Sequence, residues 1–72
     1  GARVLEIGCG DGRLTRVIAQ DAQSVVAIDA DREAIAELRR GAPSNVEALA
    51  AEFESFQPGP AGFDVVVFSW SL

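Results

Sequence analysis

The chain has 72 residues, a net charge of −5 at pH 7 and six basic residues, all of them arginines. A chain of this length forms one domain at most, and its acidic balance disfavours nonspecific binding to nucleic acid or to anionic membranes. A single cysteine and the lack of histidine exclude an intrachain disulfide and a Cys/His metal site, and no apolar run is long enough to span a membrane.

The chain begins with a strand, a glycine loop and a helix in direct succession. Apolar side chains predict a strand over residues 3–7, and Gly8, Gly10 and Gly12 follow at once as a GxGxG loop. Glycines at such a junction allow a tight turn and let a ligand lie against the main chain, and the helix start adds unpaired N–H groups. The loop therefore predicts a site of the broad nucleotide-binding class.

The charges around this loop distinguish between ligands. Glu6 precedes the loop, Asp11 lies within it, and no basic residue occurs between Val4 and Gly12. Two carboxylates repel a pyrophosphate and attract a ligand that carries an ammonium and a sulfonium. The dinucleotide fingerprint GxGxxG requires a glycine where Arg13 stands, and no Gly-Lys-Ser or Gly-Lys-Thr follows for a P-loop. The pattern favours a cationic ligand.

The next two elements are a helix and a second strand. The spacing of Leu14, Val17 and Ile18 predicts a helix over residues 12–20 that packs with these three side chains. The continuous apolar run that follows predicts a buried parallel strand ending in Asp29. Asp29 comes about 20 residues after the glycine loop, where a Rossmann-like fold places the carboxylate that binds ribose hydroxyls.

A second helix is predicted between Asp31 and Gly41. Asp31 is a good N-cap residue, and Gly41 suits the position just after a helix end. Ile35 and Leu38, together with Ala34, give this helix an apolar stripe.

The predicted elements alternate as β-α-β-α-β. Four strands are predicted, over residues 3–7, 24–29, 46–49 and 63–68. This order predicts an α/β fold with a parallel sheet and right-handed crossovers. The third connection has room only for a short helical turn around residues 52–56, followed by a proline- and glycine-rich turn over residues 57–62.

Three of these features resemble motifs of the class I S-adenosylmethionine-dependent methyltransferases: the acidic residue before GxGxG, the acidic end of the second strand and the Phe-Asp-Val-Val block at 63–66. The resemblance implies a partial Rossmann-like fold with strand order 3-2-1-4, both helices on one sheet face and the other face poorly covered. It covers nearly the whole chain but only the first half of the family's fold. We therefore expect residues 1–72 to be the cofactor-binding half of a methyltransferase domain, truncated at the C-terminus.

The resemblance also implies a site for S-adenosylmethionine. Asp29 would bind the ribose, and Glu6 the cofactor's amine, directly or through water. In the family a turn after the third strand carries an Asp that binds the adenine amino group; Ala50 stands in its place here, which leaves Glu52 or backbone groups to bind adenine. The expected cofactor-binding residues are Glu6, Gly8, Cys9, Gly10, Asp11, Gly12, Asp29, Ala30, Ala51, Glu52 and Ser69.

In the family the segment at residues 69–72 lines the space between the cofactor's methyl group and the acceptor. Trp70 within it is expected in the core or the pocket wall. The Asn/Asp-Pro-Pro-Tyr pattern that serves nucleobase amines is absent, so the resemblance favours a small-molecule acceptor. No catalytic base is assigned.

Several of these residues also have a purely structural explanation. Glu6 is able to pair with an arginine or to cap backbone amides, and Asp29 competes with Asp31 for the helix cap. Asp11 either stabilises the helix start by its charge or contacts the ligand. Cys9 is expected to pack rather than react, because its acidic neighbours raise the pKa of a thiol.

The sequence thus predicts a cytoplasmic methyltransferase acting on a small molecule, with no metal, nucleic-acid or membrane partner expected for this segment. Two other classes stay open. One is the cofactor domain of an NAD(P)-dependent oxidoreductase, against which Glu6 and Arg13 argue. The other is a non-catalytic, methyltransferase-like interaction module, for which Ala50 is the one hint.

Overall fold

Strands and helices alternate along the chain in the computed structural model, which describes residues 1–56 and 62–69. The elements are β1 (Arg3–Ile7), α1 (Arg13–Ala19), β2 (Ser24–Asp29), α2 (Arg32–Arg39), β3 (Val46–Ala50), a 3₁₀ turn (Phe53–Ser55) and β4 (Val65–Phe68). The strands form a parallel sheet in the order β3-β2-β1-β4. The predicted α/β fold and strand order are confirmed, and β4 begins two residues later than predicted, at Val65. The predicted turn over residues 57–62 lies largely outside the described residues.

Both helices pack on the same face of the sheet, as predicted. Val4 of β1 and Val25 of β2 form one apolar cluster with Ala19 of α1 and with Ile35 and Leu38 of α2. We call this the helix-covered face. Its central side chains are almost completely removed from water, which places the main hydrophobic stabilisation of the chain here.

The first helix turns a different side to the sheet from the one predicted. Leu14 and Val17 are 45% and 58% exposed, whereas Thr15 and Ala19 are buried. The predicted stripe of Leu14, Val17 and Ile18 is therefore wrong in its first two members. The buried side chains of α1 are small, and one of them is polar, because the Thr15 hydroxyl meets a carboxylate inside the fold. Apolar periodicity alone does not detect such a face.

The opposite face of the sheet is covered over its centre. Leu5, Ile7 and Ile28 are buried there, and the partly buried Phe56 and Phe63 pack against them with their ring centroids 6.4 Å apart. The expectation of a poorly covered second face is thus wrong over β1 and β2. It holds at β4 for the described residues, where several large apolar side chains remain exposed.

The second helix begins and ends as its sequence predicts. The Asp31 side chain accepts hydrogen bonds from the backbone N–H groups of Glu33 and Ala34, at 3.0 and 3.2 Å. The chain leaves the helix at Arg40, and Gly41 follows with a φ of 67°. These two local signals fix the two ends of α2.

Candidate functional site

The glycine loop lies at the carboxyl edge of the sheet, between the end of β1 and the start of α1. Gly8 donates its N–H to the Ile28 carbonyl at 2.9 Å, which joins the loop to β2. Ser69, just after β4, donates its N–H to the Ile7 carbonyl at 2.8 Å. The ends of β1, β2 and β4 therefore meet at one edge, where open α/β sheets place their ligands.

Two glycines of the loop serve different purposes. Gly12 has a φ of 90°, and a Cβ atom placed there would lie 2.2 Å from Cδ1 of Leu38, so Gly12 is required for packing between α1 and α2. Gly10 has a φ of 58°, but a Cβ atom placed there would meet nothing within 4 Å. The loop is therefore closed towards the helices at Gly12 and open towards solvent at Gly10.

Asp29 joins two loops of this edge. One of its carboxylate oxygens accepts a hydrogen bond from the Gly10 N–H at 2.9 Å, and the other accepts one from the Asp31 N–H at 2.9 Å. The residue that caps the N-terminus of α2 is Asp31 and not Asp29. Each oxygen of Asp29 retains a further lone pair, so the carboxylate can still accept hydrogen bonds from hydroxyl groups.

Glu6 is fully buried beneath the loop. Its Oε1 accepts a hydrogen bond from the Thr15 hydroxyl, and its Oε2 is buried without a hydrogen-bond partner in the described part of the chain. Neither of the structural explanations from the sequence, pairing with an arginine or capping of amides, describes this contact. Sequence reasoning missed Thr15, whose one signal was a polar residue in the first turn of the helix that follows the loop.

Cys9 is a free, buried cysteine of the glycine loop and belongs to the apolar cluster of the helix-covered face. Burial raises the pKa of its thiol to about 12, and the negative charges of Glu6 and Asp29 contribute in the same direction. The thiol is therefore protonated at neutral pH, in agreement with the prediction that Cys9 packs rather than reacts. The contributions of Glu6 and Asp29 place the negative charges of both carboxylates within reach of the glycine loop.

Asp11 projects from the loop into solvent. Its carboxylate lies 3.8 Å from Nε of the exposed Arg13, and it makes no side-chain hydrogen bond to the start of α1. The Asp11 carbonyl instead accepts a hydrogen bond from Arg16 at 3.0 Å. Both of its predicted roles, stabilisation of the helix start by its charge and contact with a ligand, stay predictions.

A cleft lies beside the glycine loop and opens to solvent. It encloses about 350 Å³ of empty space if the open solvent at its mouth is included, and its lining consists of Ile7, Gly8, Ile28, Asp29, Ala30, Ala51, Glu52, Phe53 and Glu54. The Ala51 N–H donates to the Asp29 carbonyl at 3.0 Å, which holds the segment after β3 next to the end of β2. The cleft therefore joins residues from three successive strand ends.

The structure brings together five of the predicted site residues in this cleft: Gly8, Asp29, Ala30, Ala51 and Glu52. Gly10 is attached to the cleft through Asp29, whereas Glu6 and Cys9 lie beneath the loop. Phe53 and Glu54 also line the cleft and were not predicted. Their one signal in the sequence is their position just after the third strand, at the same sheet edge.

Ser69 lies at the β4 side of the same edge. Its hydroxyl oxygen is buried and has no hydrogen-bond partner among the residues that the structure describes. Trp70 and the two residues after it lie outside the described residues, so the prediction for Trp70 stays open.

No group of three or more Cys, Asp or Glu side chains in residues 1–56 and 62–69 has the arrangement of a metal site. Within the same residues, no helix is long and apolar enough to cross a membrane.

The strand order, the glycine loop and the acidic end of β2 define a Rossmann-like nucleotide-binding fold. Comparison with known proteins narrows this class: residues 4–72 match the sequence profile of the family described as "Methyltransferase domain". The chain belongs to the class I S-adenosylmethionine-dependent methyltransferase family.

Relatives and solved structures agree with this assignment. Two probable S-adenosylmethionine-dependent methyltransferases from strains of Mycobacterium tuberculosis are 41% identical to the chain over 64 residues, which is 89% of the chain and 23% of the relative. The chain therefore spans about a quarter of the length of these relatives.

Two solved structures share the fold. The phosphoethanolamine N-methyltransferase 1 of Haemonchus contortus, in complex with phosphoethanolamine and S-adenosylhomocysteine, matches with a TM-score of 0.88 and 26% identity over 99% of this chain and 16% of that chain. A dimethyladenosine transferase from Plasmodium falciparum matches with a TM-score of 0.85 and 30% identity over 99% of this chain and 26% of that chain.

Proposed function

We propose that this chain binds S-adenosylmethionine at the carboxyl edge of its sheet and forms the cofactor-binding part of a methyltransferase. The observation that carries the proposal is the cleft beside the glycine loop, with Asp29 in its lining and an open backbone at Gly10. The relatives and the solved structures whose names include S-adenosylmethionine or S-adenosylhomocysteine support this choice of cofactor.

The ribose of the cofactor is assigned to Asp29. This half-buried carboxylate is already oriented by the N–H groups of Gly10 and Asp31, so little conformational freedom is lost when hydroxyl groups bind to it. A carboxylate is suited to two neighbouring hydroxyl groups because it offers two oxygens with several lone pairs.

The adenine base is assigned to the far end of the cleft, at the segment after β3. Ile28, Ala51 and Phe53 supply apolar surface for the base, and Glu52 and Glu54 supply carboxylates near its edge. Ala50 lies opposite Asp29 in the register of β3 with β2, where its methyl group is unable to accept a hydrogen bond. We assign the adenine amino group to Glu52.

The methionine end of the cofactor is assigned to the glycine loop and Glu6. The ammonium and sulfonium charges suit the negative charges of Glu6 and Asp29 within reach of the loop. The buried Oε2 of Glu6 is an acceptor that the described protein leaves unused. Glu6 therefore attracts the ammonium group directly or through a water molecule.

When bound, the cofactor would supply an activated methyl group: an acceptor atom would attack the methyl carbon in line, and the carbon–sulfur bond would break to release S-adenosylhomocysteine. Residues 1–72 contribute binding and orientation of that group, which is a large part of what such a reaction requires. A small molecule is the proposed acceptor, because a segment with a net charge of −5 disfavours nucleic acid.

Calorimetric titration of the full-length protein with S-adenosylhomocysteine and with NAD tests the proposal. We expect binding of S-adenosylhomocysteine alone, and the substitution Asp29→Asn is expected to raise its Kd by about 10-fold or more because a hydrogen bond to a charged acceptor is weakened. Asp21→Asn makes the same charge change in an exposed turn at the opposite sheet edge and serves as the matched control.

Amide spectra recorded during the titration locate the site. The resonances of residues 8–12 and 29–31 are expected to shift, and those around Asp21 are expected to stay in place. Binding of NAD in preference to S-adenosylhomocysteine, or equal effects of the two Asp→Asn substitutions, would contradict the proposed function.

A further inference from the structure

We infer that Thr15 is a positioning residue for Glu6: its hydroxyl holds one oxygen of the buried carboxylate, so that the other oxygen is presented to the cationic amine of the cofactor. This inference rests on the proposed function, because it concerns the same site. The inference adds to the site Thr15, a residue of α1 that lies outside the glycine loop.

The contact lies inside the fold. Thr15 and Glu6 are both 0% exposed, and the Thr15 hydroxyl donates a hydrogen bond to Oε1 of Glu6. Alternation along β1 places Glu6 on the same sheet face as Val4, which is the helix-covered face. The first turn of α1 therefore lies directly over the carboxylate, and Thr15 is the residue of that turn that meets it.

The hydrogen bond between Thr15 and Glu6 does not by itself offset the cost of burying the Glu6 carboxylate. A buried carboxylate is costly unless its oxygens are hydrogen-bonded and its charge is offset. Thr15 satisfies one oxygen, whereas Oε2 has no partner in the described residues. The salt bridges of the described chain join arginines to other carboxylates, namely Asp64, Asp11 and Glu37.

The missing partner is expected to be a cation with N–H donors. Glu6 is separated from the glycine loop by one residue, the backbone of that loop is open at Gly10, and the charge of Glu6 acts on the loop residue Cys9. An ammonium group would offset the charge of Glu6 and donate a hydrogen bond to its Oε2, since it carries a positive charge and three donors. Without the Thr15 hydroxyl, Glu6 would have no hydrogen bond to fix which oxygen faces the loop.

Two variants of Thr15 separate positioning from packing. Thr15→Val keeps the branched shape and removes the hydroxyl, whereas Thr15→Ser keeps the hydroxyl and removes the methyl group. The full-length protein and both variants are titrated with S-adenosylhomocysteine and with 5′-methylthioadenosine. The second compound contains the adenosine part but lacks the ammonium, so it reports whether the cleft itself remains intact.

We expect Thr15→Val to raise the Kd of S-adenosylhomocysteine by about 10-fold and to change the Kd of 5′-methylthioadenosine by less than about twofold. Thr15→Ser is expected to restore binding of S-adenosylhomocysteine to within about threefold of the wild type. This combination of ligand selectivity and rescue is not produced by a general loss of packing.

Other results overturn the inference in distinguishable ways. Equal weakening of both ligands by Thr15→Val, or unchanged binding of both, removes the role of Thr15 and leaves the proposed function standing. A wild-type protein that binds neither compound contradicts the proposed function itself, and the role of Thr15 is then lost with it.

Discussion

The helix-covered face of the sheet and the fourth strand differ in how completely their apolar side chains are buried. Ile35 and Leu38 on the helix-covered face are at most 1% exposed, whereas Val66 and Phe68 on β4 are 49% and 59% exposed. Both regions are rich in large apolar residues, so composition does not explain the contrast. Two helices lie over the first region, and among the described elements β4 pairs with β1 alone.

This difference shows which part of the fold supports the site. Glu6, Thr15 and Asp29 belong to β1, α1 and β2, which are the elements of the closed region. Ser69 follows β4 at the carboxyl edge of the sheet. Asp64 precedes β4 at the opposite edge and accepts a hydrogen bond from the Arg3 backbone N–H. We therefore expect stability and cofactor binding to respond strongly to changes in the closed region and weakly to changes on β4.

The largest expected difference in the free energy of unfolding is between Leu38→Ala and Val66→Ala. Leu38 is completely buried, so its truncation is expected to lower the free energy of unfolding by about 2–5 kcal/mol. Val66 is half exposed, and its truncation is expected to change the same quantity by about 0.5 kcal/mol. Urea unfolding of the full-length variants measures both. Equal losses would show that β4 is as well packed as the helix-covered face.

A smaller difference in the free energy of unfolding is expected between substitutions of two glycines of the same loop. Gly12→Ala and Gly10→Ala both place a Cβ atom on a residue with positive φ, which costs about 1–2 kcal/mol. Gly12→Ala also drives that atom against Leu38, so its unfolding free energy is expected to fall by about 1–3 kcal/mol more.

The double variant with Leu38→Ala provides the control for this pair. Because Leu38→Ala removes the atoms that clash, the combined loss is expected to be smaller than the sum of the two single losses. An additive result would place the cost of Gly12→Ala elsewhere in the loop.

The smallest effect on stability is expected at the sheet edge where a hydrogen bond joins the residue before β4 to the start of β1. Asp64 accepts a hydrogen bond from the Arg3 backbone N–H at 2.9 Å, and this bond is the main cause that lowers the pKa of the Asp64 carboxyl from its ordinary value of 3.8. A lowered pKa stabilises the fold above the ordinary value, and this contribution is lost as the pH falls through the folded-state value.

Asp64→Asn is therefore expected to reduce the urea midpoint slightly at neutral pH, and this reduction is expected to disappear as the pH falls through the folded-state pKa of Asp64. Asp21→Asn is the matched control, since it removes the same charge from an exposed turn. A loss that persists unchanged in acid would show that the carboxylate charge does not contribute.

Local signals were sufficient for most of the fold. Asp31 and Gly41 mark the ends of α2, and apolar runs mark the first two strands at the residues where the structure has them. Each of these signals acts within a few residues of chain, so the sequence is enough to read them. The resemblance to methyltransferases added the strand order and the side on which the helices lie, and both are confirmed.

Within the site, the sequence identified residue types and positions but not their contacts. It placed Asp29 at the ribose position, and the structure shows that the same carboxylate also holds Gly10. It named Gly12 as a ligand residue, and the structure gives Gly12 a packing role against Leu38. These contacts join residues far apart in sequence, so they depend on how the strands and helices are assembled.

The order of the elements, the ends of α2 and the acidic glycine loop could be predicted without the structure, because each of these follows from neighbouring residues. The buried side of α1 could not, since it depends on the residues that lie beneath the helix in the folded chain. A buried carboxylate on β1 requires a donor, and Thr15 supplies it. Leu14 and Val17, although more apolar, are therefore turned towards solvent.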